Sequence, residues 1–305
     1  MSAVARASAL RVLAAALVAT SLLLAPSALP ALAAPAPPRV APRVAPRAVP
    51  ALAPAAPSLA LAAPARRWRA VFDDGFGSPR WGKRGAVWSD RTSAYADGAS
   101  DPDQFKFDRV QAAAMKVSHG QLHITASPTT AAVHGPWRTG LLTTEPWHGG
   151  VAGGNGFQLR AGDYALIRMR LPGRQDGGGH GAWPAVWTWR DGNEVDLMEW
   201  HSETPGIIEF ANHTPGASTY SFVHSPLVGF GRWITVAVRF GATDVGWYVG
   251  DDTHPLRLAY QDHVGVGAKW HAYLIASLSV SAQPGRLPSS AHPISMAIDR
   301  IRVFR

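Results

Sequence analysis

Three carboxylates lie close together near the middle of the chain, in the run G-N-E-V-D-L-M-E-W at 192–200. Side chains alternate along a β-strand, so Glu194 and Asp196 point to one face. Simple alternation would turn Glu199 towards the core, where an unpaired charge is costly. One β-bulge at Leu197–Met198 returns it to the shared face. The pattern predicts three carboxylates on one face, where like charges raise at least one pKa.

Such an arrangement suits the cleavage of a glycosidic bond with retention of configuration. That reaction needs one carboxylate as nucleophile and one carboxylic acid that protonates the leaving oxygen, about 5–5.5 Å apart. The side chains of Glu194 and Glu199 must then lean together over Asp196. An ordinary solvated strand face is the alternative interpretation of the motif in isolation. Trp side chains, which suit sugar rings because they combine apolar area with a polar edge, crowd around the acids: Trp183, Trp187, Trp189 and Trp200.

The elements that must position these residues are β-strands. Apolar residues alternate with polar ones at 165–171 and again at 234–240, with the period of two that half-buried strands require. Strand-like runs broken by Gly, Pro, Asn and Asp indicate an all-β sandwich or barrel, and about 240 residues fit one large β-sandwich. The further runs are 121–127, 184–190, 206–212, 246–250, 272–280 and 296–304.

The N-terminal part of the chain has a different composition. Arg6 and Arg11 precede an apolar run that ends at Pro26, and Ala31-Leu32-Ala33 is a small-x-small cleavage site, which predicts a secretory signal peptide over residues 1–33. Residues 34–66 are almost entirely Ala, Pro, Val, Leu and Arg, which predicts a disordered linker without fold or chemistry. An Arg-bearing tether to an anionic cell-wall polymer is the alternative for this linker. The folded domain is expected over 67–305.

Charge and cysteine content exclude several classes of function. The formal net charge is +8, but residues 1–67 hold seven Arg and no acidic residue, which leaves +1 for the rest. A basic domain that binds nucleic acid is therefore not supported. The chain has no Cys, so a disulfide framework, a Cys-based metal site and a Cys nucleophile are excluded. Phosphate-loop, H-E-x-x-H and G-x-S-x-G motifs are missing as well.

Five segments in order resemble glycoside hydrolase family 16. E-V-D-L-M-E at 194–199 resembles its catalytic signature in the bulged E-x-D-x-x-E form typical of laminarinases, agarases and carrageenases. The other segments are similar to strands of the family and, with the signature, cover nearly all of 68–305. They are H-G-Q-L-H-I-T-A at 119–126, W-R-T-G-L-L-T-T at 137–144, G-A-W-P-A-V-W-T-W at 181–189 and M-A-I-D-R-I-R-V-F-R at 296–305.

The resemblance implies a β-jelly roll, a sandwich of two antiparallel sheets with a concave substrate cleft. It implies that Glu194 is the nucleophile, Glu199 the acid/base and Asp196 the residue that tunes the pair. We expect Glu199, which follows the bulge beside two other carboxylates, to hold its proton more tightly. The expected substrate-binding residues of the cleft are Trp183, Trp187, Trp200 and His213.

Two departures from the family pattern bear on the sugar that is recognised. Leu141 stands where many laminarinases have Arg, and the run 277–282 replaces N-L-x-V-G-G; both fall on strands expected to face substrate. The resemblance also implies a structural Ca²⁺ site, with Asp299 as its acidic ligand and backbone carbonyls near 74–77. Oxygen ligands of this kind suit Ca²⁺. No cofactor is expected for catalysis itself.

The sequence predicts a secreted, monomeric, retaining endo-β-glycosidase whose partner is a polysaccharide, foremost β-1,3-glucan. No nucleic acid is expected as a partner, and no membrane after cleavage of the signal peptide. A galactanase of the agarose or carrageenan type and a transglycosylase are alternatives within the fold. A non-catalytic carbohydrate-binding module is the rival from another class, although such a module needs aromatic residues rather than three acids on one bulged strand.

Overall fold

The computed structural model describes residues 68–83, 85–101, 105–146, 153–214 and 217–305. The predicted signal peptide and linker, residues 1–33 and 34–66, lie outside this part of the chain. The described residues belong to one compact unit. Within them, no helix is long or apolar enough to cross a membrane.

Strands dominate the described residues, with two short 3₁₀ helices at Ala112–Ala114 and Asp176–Gly178. The strands are β1 (Ala70–Asp74), β2 (Asp108–Val110), β3 (Met115–Ser118), β4 (Gln121–Pro128), β5 (Trp137–Thr143), β6 (Gln158–Arg160), β7 (Tyr164–Arg170), β8 (Ala182–Arg190), β9 (Asn193–Glu199), β10 (Ile207–Thr214), β11 (Ala217–His224), β12 (Trp233–Phe240), β13 (Val245–Gly250), β14 (Arg257–Gln261), β15 (His271–Val280) and β16 (Ile294–Phe304).

The strands follow one hydrogen-bonded path, β11-β10-β9-β8-β15-β5-β4-β16-β7-β12-β13-β14. Only two residue pairs, Ser127 with Arg138 and Pro128 with Trp137, join β4 to β5. We therefore divide the path there into a front sheet, from β11 to β5, and a back sheet, from β4 to β14. Apart from the parallel pair β2–β5, the pairings are antiparallel. The all-β jelly-roll sandwich expected from the sequence is confirmed.

The main core lies between the two sheets and follows from the alternation in their strands. In β7, Ile167 and Met169 are fully buried, while the intervening Arg168 points outward. From the front sheet, Phe210 stacks on Trp247 of the back sheet with ring centroids 5.9 Å apart. Burying large apolar side chains from both sheets is the main stabilising contribution. The inward side chains of β9 and β10 are part of this core, which holds both strands in place.

Candidate active site

The three carboxylates lie on β9, which carries the expected bulge. Across from β8, Met198 pairs with Val186 and Asp196 with Trp187, so Leu197 is the additional residue. Leu197 and Met198 are both fully buried in the main core. The alternation therefore resumes after the bulge with Glu199 on the face of Glu194 and Asp196. This placement agrees with the bulge predicted from the sequence.

A contact from the back sheet supports the bulge from beneath. The indole Nε1–H of Trp247, on β13, donates a hydrogen bond of 2.9 Å to the backbone carbonyl of Asp196. Trp247 is fully buried, and its ring also stacks on Phe210. Irregular pairing at a bulge leaves backbone groups that need other partners. This indole N–H provides one of them.

Two side chains on neighbouring strands contact the carboxylate of Glu199. Trp183, on β8, donates from its indole Nε1–H to Oε1 over 2.7 Å. The hydroxyl of Tyr220, on β11, lies 3.2 Å from Oε2. Hydrogen bonds to an ionised acceptor are the stronger ones. Glu199 is thus held in a defined orientation on the open side of the front sheet.

Asp196, between the two glutamates, lies in a much drier environment. It is 3% exposed. Burial raises its pKa well above the ordinary value, and the nearby charge of Glu199 acts in the same direction. His213 on β10 approaches it, with Nε2 lying 3.4 Å from Oδ2. The raised pKa favours the protonated form of Asp196 and agrees with the expectation that crowding raises at least one pKa.

Glu194 lies at the other end of β9, where it pairs with Trp189 on one side and His213 on the other. It is half-buried. The imidazole of His213 accepts or donates a hydrogen bond of 2.7 Å at Oγ of Ser218. His213 therefore lies on β10 beside Glu194 and Asp196.

The tryptophans expected in the cleft occupy three different environments. Trp183 is half-buried on the carboxylate face. Trp187 shares that face but is only 6% exposed, because Tyr95 stacks on it with ring centroids 6.4 Å apart. Trp200 is fully buried in the main core, where it contacts Phe230 and donates to a backbone carbonyl. The assignment of Trp200 to substrate binding is therefore wrong.

The covering segment, residues 89–101 and 105–110, also buries the residues that depart from the family pattern. Leu141 is fully buried in a second apolar cluster with Tyr95 and Trp187. Ser277 accepts a hydrogen bond of 3.1 Å from the indole of Trp187, and Ser279 bonds with Tyr95. Leu141 and Ser279 contact Tyr95 of the covering segment, and Ser277 contacts Trp187 of β8. All three are buried, so the expectation that they face substrate is wrong.

Sequence reasoning missed Glu209, Tyr220 and Lys106. Glu209 lies on β10 directly opposite Glu199 and is 2% exposed. The alternation that places His213 on this face places Glu209 there too, four residues earlier, so the sequence pattern could have identified it.

Lys106, in the covering segment, lies with Nζ 4.6 Å from the ring centroid of Trp183. Cation–π contacts of this kind stabilise the position of the indole.

A depression of about 510 Å³ lies beside the β8–β9 turn. Its lining includes Arg190, Lys269 and Trp270, but none of the three carboxylates. We therefore place the candidate site on the open face of the front sheet rather than in this depression.

The structure pairs the expected calcium ligand with a side chain of the protein itself. Asp299 forms an ion pair with Arg168, with Oδ2 and Nη1 separated by 2.9 Å. Asp74 accepts hydrogen bonds from the backbone N–H of Phe76 and from the indole of Trp88. In the described part of the chain, no three His, Asp or Glu side chains group as a metal site. A guanidinium at the carboxylate opposes the binding of a second cation there.

No protein-family model matches the chain, and no curated protein matches it either. Several solved structures do. The laminarinase catalytic domain from Thermotoga maritima MSB8 is 21% identical, with a TM-score of 0.61 over 78% of this chain and 98% of that one. The β-glucanase from Bacillus licheniformis is 13% identical, with a TM-score of 0.56 over 76% and 96%.

A third solved structure contains a sugar. A variant of SCLam, a non-specific endo-β-1,3(4)-glucanase from glycoside hydrolase family 16, presents 1,3-β-D-cellobiosyl-glucose at its active site. It is 19% identical, with a TM-score of 0.57 over 79% of this chain and 95% of that one. At these identities the likeness concerns the fold. The chain therefore has the fold of laminarinases and related β-glucanases.

Proposed function

We propose that this protein is a secreted, retaining endo-β-glycosidase that hydrolyses a β-linked glucan, foremost β-1,3-glucan. One observation carries the proposal: the bulge of β9 brings Glu194, Asp196 and Glu199 to one face of a sheet whose fold is that of laminarinases. Paired carboxyl groups on one open face suit double displacement at an anomeric carbon. The signal-like composition of residues 1–33 supports export.

In the proposed mechanism, Glu194 attacks the anomeric carbon and Glu199 gives its proton to the leaving oxygen. Trp183 and Tyr220 hold the Glu199 carboxylate that results. Water then hydrolyses the glycosyl-enzyme, with Glu199 removing the proton of that water. The raised pKa of Asp196 favours its protonated form, in which it adds no third negative charge between the two glutamates.

The aromatic side chains give the proposed substrate its contact surface. Phe222 on β11 is 59% exposed, and its ring centroid lies 4.9 Å from that of Tyr220. With Trp183 on the opposite side of Glu199, these rings flank the carboxylates. Sugar rings bind well to such apolar faces.

The decisive experiment is a reducing-sugar assay of the purified protein against laminarin, lichenan, agarose and carrageenan. We expect hydrolysis of laminarin and, by proton NMR, the β anomer as the first product. Cleavage of agarose or carrageenan alone would replace the glucan assignment with that of a galactanase. Binding without any cleavage would favour the carbohydrate-binding module. If the α anomer forms first, the enzyme inverts and the proposed mechanism is wrong.

A further inference from the structure

Glu209 brings a fourth carboxyl group to the candidate site. It lies on β10, in register with Glu199 across the β9–β10 pair. Its side chain is almost fully buried, at 2% exposed. The proposed double displacement does not use it, although burying a carboxyl group beside another one is costly.

The hydroxyl of Tyr220 links Glu209 to Glu199. It lies 3.2 Å from Oε2 of Glu199 and within hydrogen-bond distance of Oε2 of Glu209. A phenol has one proton, so it can donate to only one of these two oxygens. Both contacts are hydrogen bonds only if one of the two carboxyl groups is protonated and donates to the phenol oxygen.

The surroundings of the two carboxyl groups indicate which one keeps its proton when only one of them is protonated, as after Glu199 has protonated the leaving oxygen. Glu199 receives the indole N–H of Trp183, which favours an ionised acceptor. Among the described residues, the carboxyl group of Glu209 receives no hydrogen bond from an N–H group: the nearest imidazole is His201, with Nε2 at 3.9 Å from Oε2. Burial lowers the pKa of His201 to about 3, so this imidazole is neutral.

The other charged groups near Glu209 do not reverse this assignment. Burial raises the pKa of Glu209, and the negative charges of Glu199 and Glu203 raise it further. The positive charge of Arg286 acts in the opposite direction, as would a hydrogen bond donated by Tyr220 to an ionised Glu209. The balance remains a raised pKa. The pKa of the Tyr220 phenol is also raised, by burial first and then by the charge of Glu199, so the phenol keeps its proton.

We propose that Glu209 is a positioning residue that stays protonated, donates to the oxygen of Tyr220 and thereby directs the phenol proton to Glu199. Glu199 then has two fixed donors, Trp183 and Tyr220, which stabilise the carboxylate that forms when its proton passes to the leaving oxygen. No proton leaves Tyr220 or Glu209 in this step. The role given to Glu199 in this inference rests on the proposed function. The direction of the two hydrogen bonds at Tyr220 rests on their geometry and surroundings.

The protonation of Glu209 is testable without any substrate, because the chain has only five Glu residues. Glutamate labelled with ¹³C at the carboxyl group gives five NMR signals, and the signal missing in Glu209→Gln is that of Glu209. We expect this signal to titrate clearly above the ordinary value of about 4.3. Tyr220→Phe should change the titration of Glu209, whereas Tyr248→Phe, on the back sheet, should not. Titration of Glu209 at or below about 4.3 overturns the proposal.

Kinetic measurements test the effect of Tyr220 and Glu209 on Glu199. Tyr220→Phe should lower kcat/KM on the polysaccharide about 10-fold to 100-fold, the effect of removing a hydrogen bond to a charged group. With an activated aryl glycoside, whose leaving group needs little protonation, the loss should be less than about threefold. Glu209→Gln should remain close to the parent on both substrates, because its amide N–H replaces the acid as donor to Tyr220.

Glu209→Leu, which removes that donor, should resemble Tyr220→Phe. Equal losses on both substrates would mean that the pair acts only on folding or binding, and would overturn the inference. If the parent protein hydrolyses nothing, the proposed function fails, while the NMR titration still decides the protonation of Glu209.

Discussion

Four carboxyl groups lie on one face of two adjacent strands, yet their environments differ. Asp196 and Glu209 are buried, and the pKa of each is raised. Glu194 and Glu199 are half-buried at the open side of the sheet. Environments of this kind give chemically similar carboxyl groups different roles. Both raised pKa values favour the protonated form of the buried pair, which is consistent with the proposed roles of Glu194 as nucleophile and Glu199 as acid/base.

Replacing each glutamate by Ala should separate these two roles. Glu199→Ala should reduce polysaccharide cleavage about 10²–10⁴-fold, the typical contribution of general acid catalysis. It should spare formation of the glycosyl-enzyme from an activated aryl glycoside, and azide should then restore turnover and yield a β-glycosyl azide. Glu194→Ala should lose activity on both substrates, and azide should yield the α-glycosyl azide.

The control for this experiment is Asp252→Ala, which removes an exposed carboxylate beside Arg168, far from β9 in the fold. It should leave both activities unchanged. If the two azide products were exchanged between the glutamate variants, the assigned roles would be exchanged as well.

The raised pKa of the buried Asp196 predicts a characteristic dependence of stability on pH. Its pKa is raised in the folded protein, so above about pH 3.9 the unfolded chain ionises while the folded protein keeps its proton. Unfolding then releases a proton, and stability falls as pH rises towards the folded pKa. Each pH unit in this window costs about 1.4 kcal/mol.

Asp196→Asn replaces a neutral acid with a neutral amide of similar shape. The Tm of this variant minus that of the parent should therefore increase as pH is raised from about 4 to neutrality. Thermal unfolding at several pH values measures this difference. A difference that decreases over the same range would show that Asp196 is ionised in the folded protein.

At the scale of elements, β9 depends on contacts from three directions. β8 and β10 pair with its two edges, and Trp247 of the back sheet bonds to the carbonyl at the bulge. On the open side, the covering segment buries Trp187 and Leu141, whereas Glu194 and Glu199 remain half-buried. The active face is thus confined to β8–β11, between Trp183 and the exposed rings of β11.

Trp247→Phe tests the support beneath the bulge, and Trp270→Phe is its matched control. Both rings are buried and stacked on a Phe, but Nε1 of Trp270 has no hydrogen-bond partner in the described structure. Both variants lose similar packing. Trp247→Phe alone leaves a carbonyl without its donor, which should cost about 1–3 kcal/mol more in unfolding free energy.

Urea denaturation of the two variants measures this difference. We also expect Trp247→Phe, but not Trp270→Phe, to lower kcat, since the bulge positions Glu199. Equal stability and equal kcat in the two variants would show that the hydrogen bond to Asp196 contributes nothing.

At the scale of the whole molecule, the back sheet joins both ends of the described chain. β1 pairs with β16, and the backbone N–H of Arg69 donates a hydrogen bond of 2.9 Å to the carbonyl of Arg305. The solvent side of this sheet carries ion pairs between Arg and Asp, among them Arg168 with Asp299 and Arg300 with Asp73. Exposed pairs of this kind contribute little to stability, so the domain depends on its apolar core.

Chelation should therefore leave the domain intact. With Asp299 paired to Arg168 rather than to a cation, we expect EDTA to leave the Tm unchanged and added Ca²⁺ to restore nothing. Asp299→Asn should cost less than about 1 kcal/mol, because it breaks an exposed pair. A large fall in Tm with EDTA that Ca²⁺ reverses would mean that Asp299 exchanges its Arg partner for the ion.

Local sequence patterns were sufficient to predict a strand wherever that strand is buried on one face only. The period of two in 165–171 and 234–240 predicted β7 and β12, because a strand half in the core must alternate. The same rule, with one bulge, placed Glu199 beside Glu194. The same alternation also places Trp200, the next residue, in the core, and it places Glu209 on the face of His213. Edge strands such as β11 and β14 have weaker apolar patterns and were missed.

What the sequence by itself determined is therefore the all-β sandwich and the common face of the three carboxylates, since both follow from alternation within a few residues. Only the tertiary structure decided which groups meet across strands. The contact of Tyr220 with Glu199 and Glu209, the stacking of Tyr95 on Trp187 and the pairing of Asp299 with Arg168 join residues distant in sequence. Side-chain partners of this kind depend on strand order and register, which local periodicity does not encode.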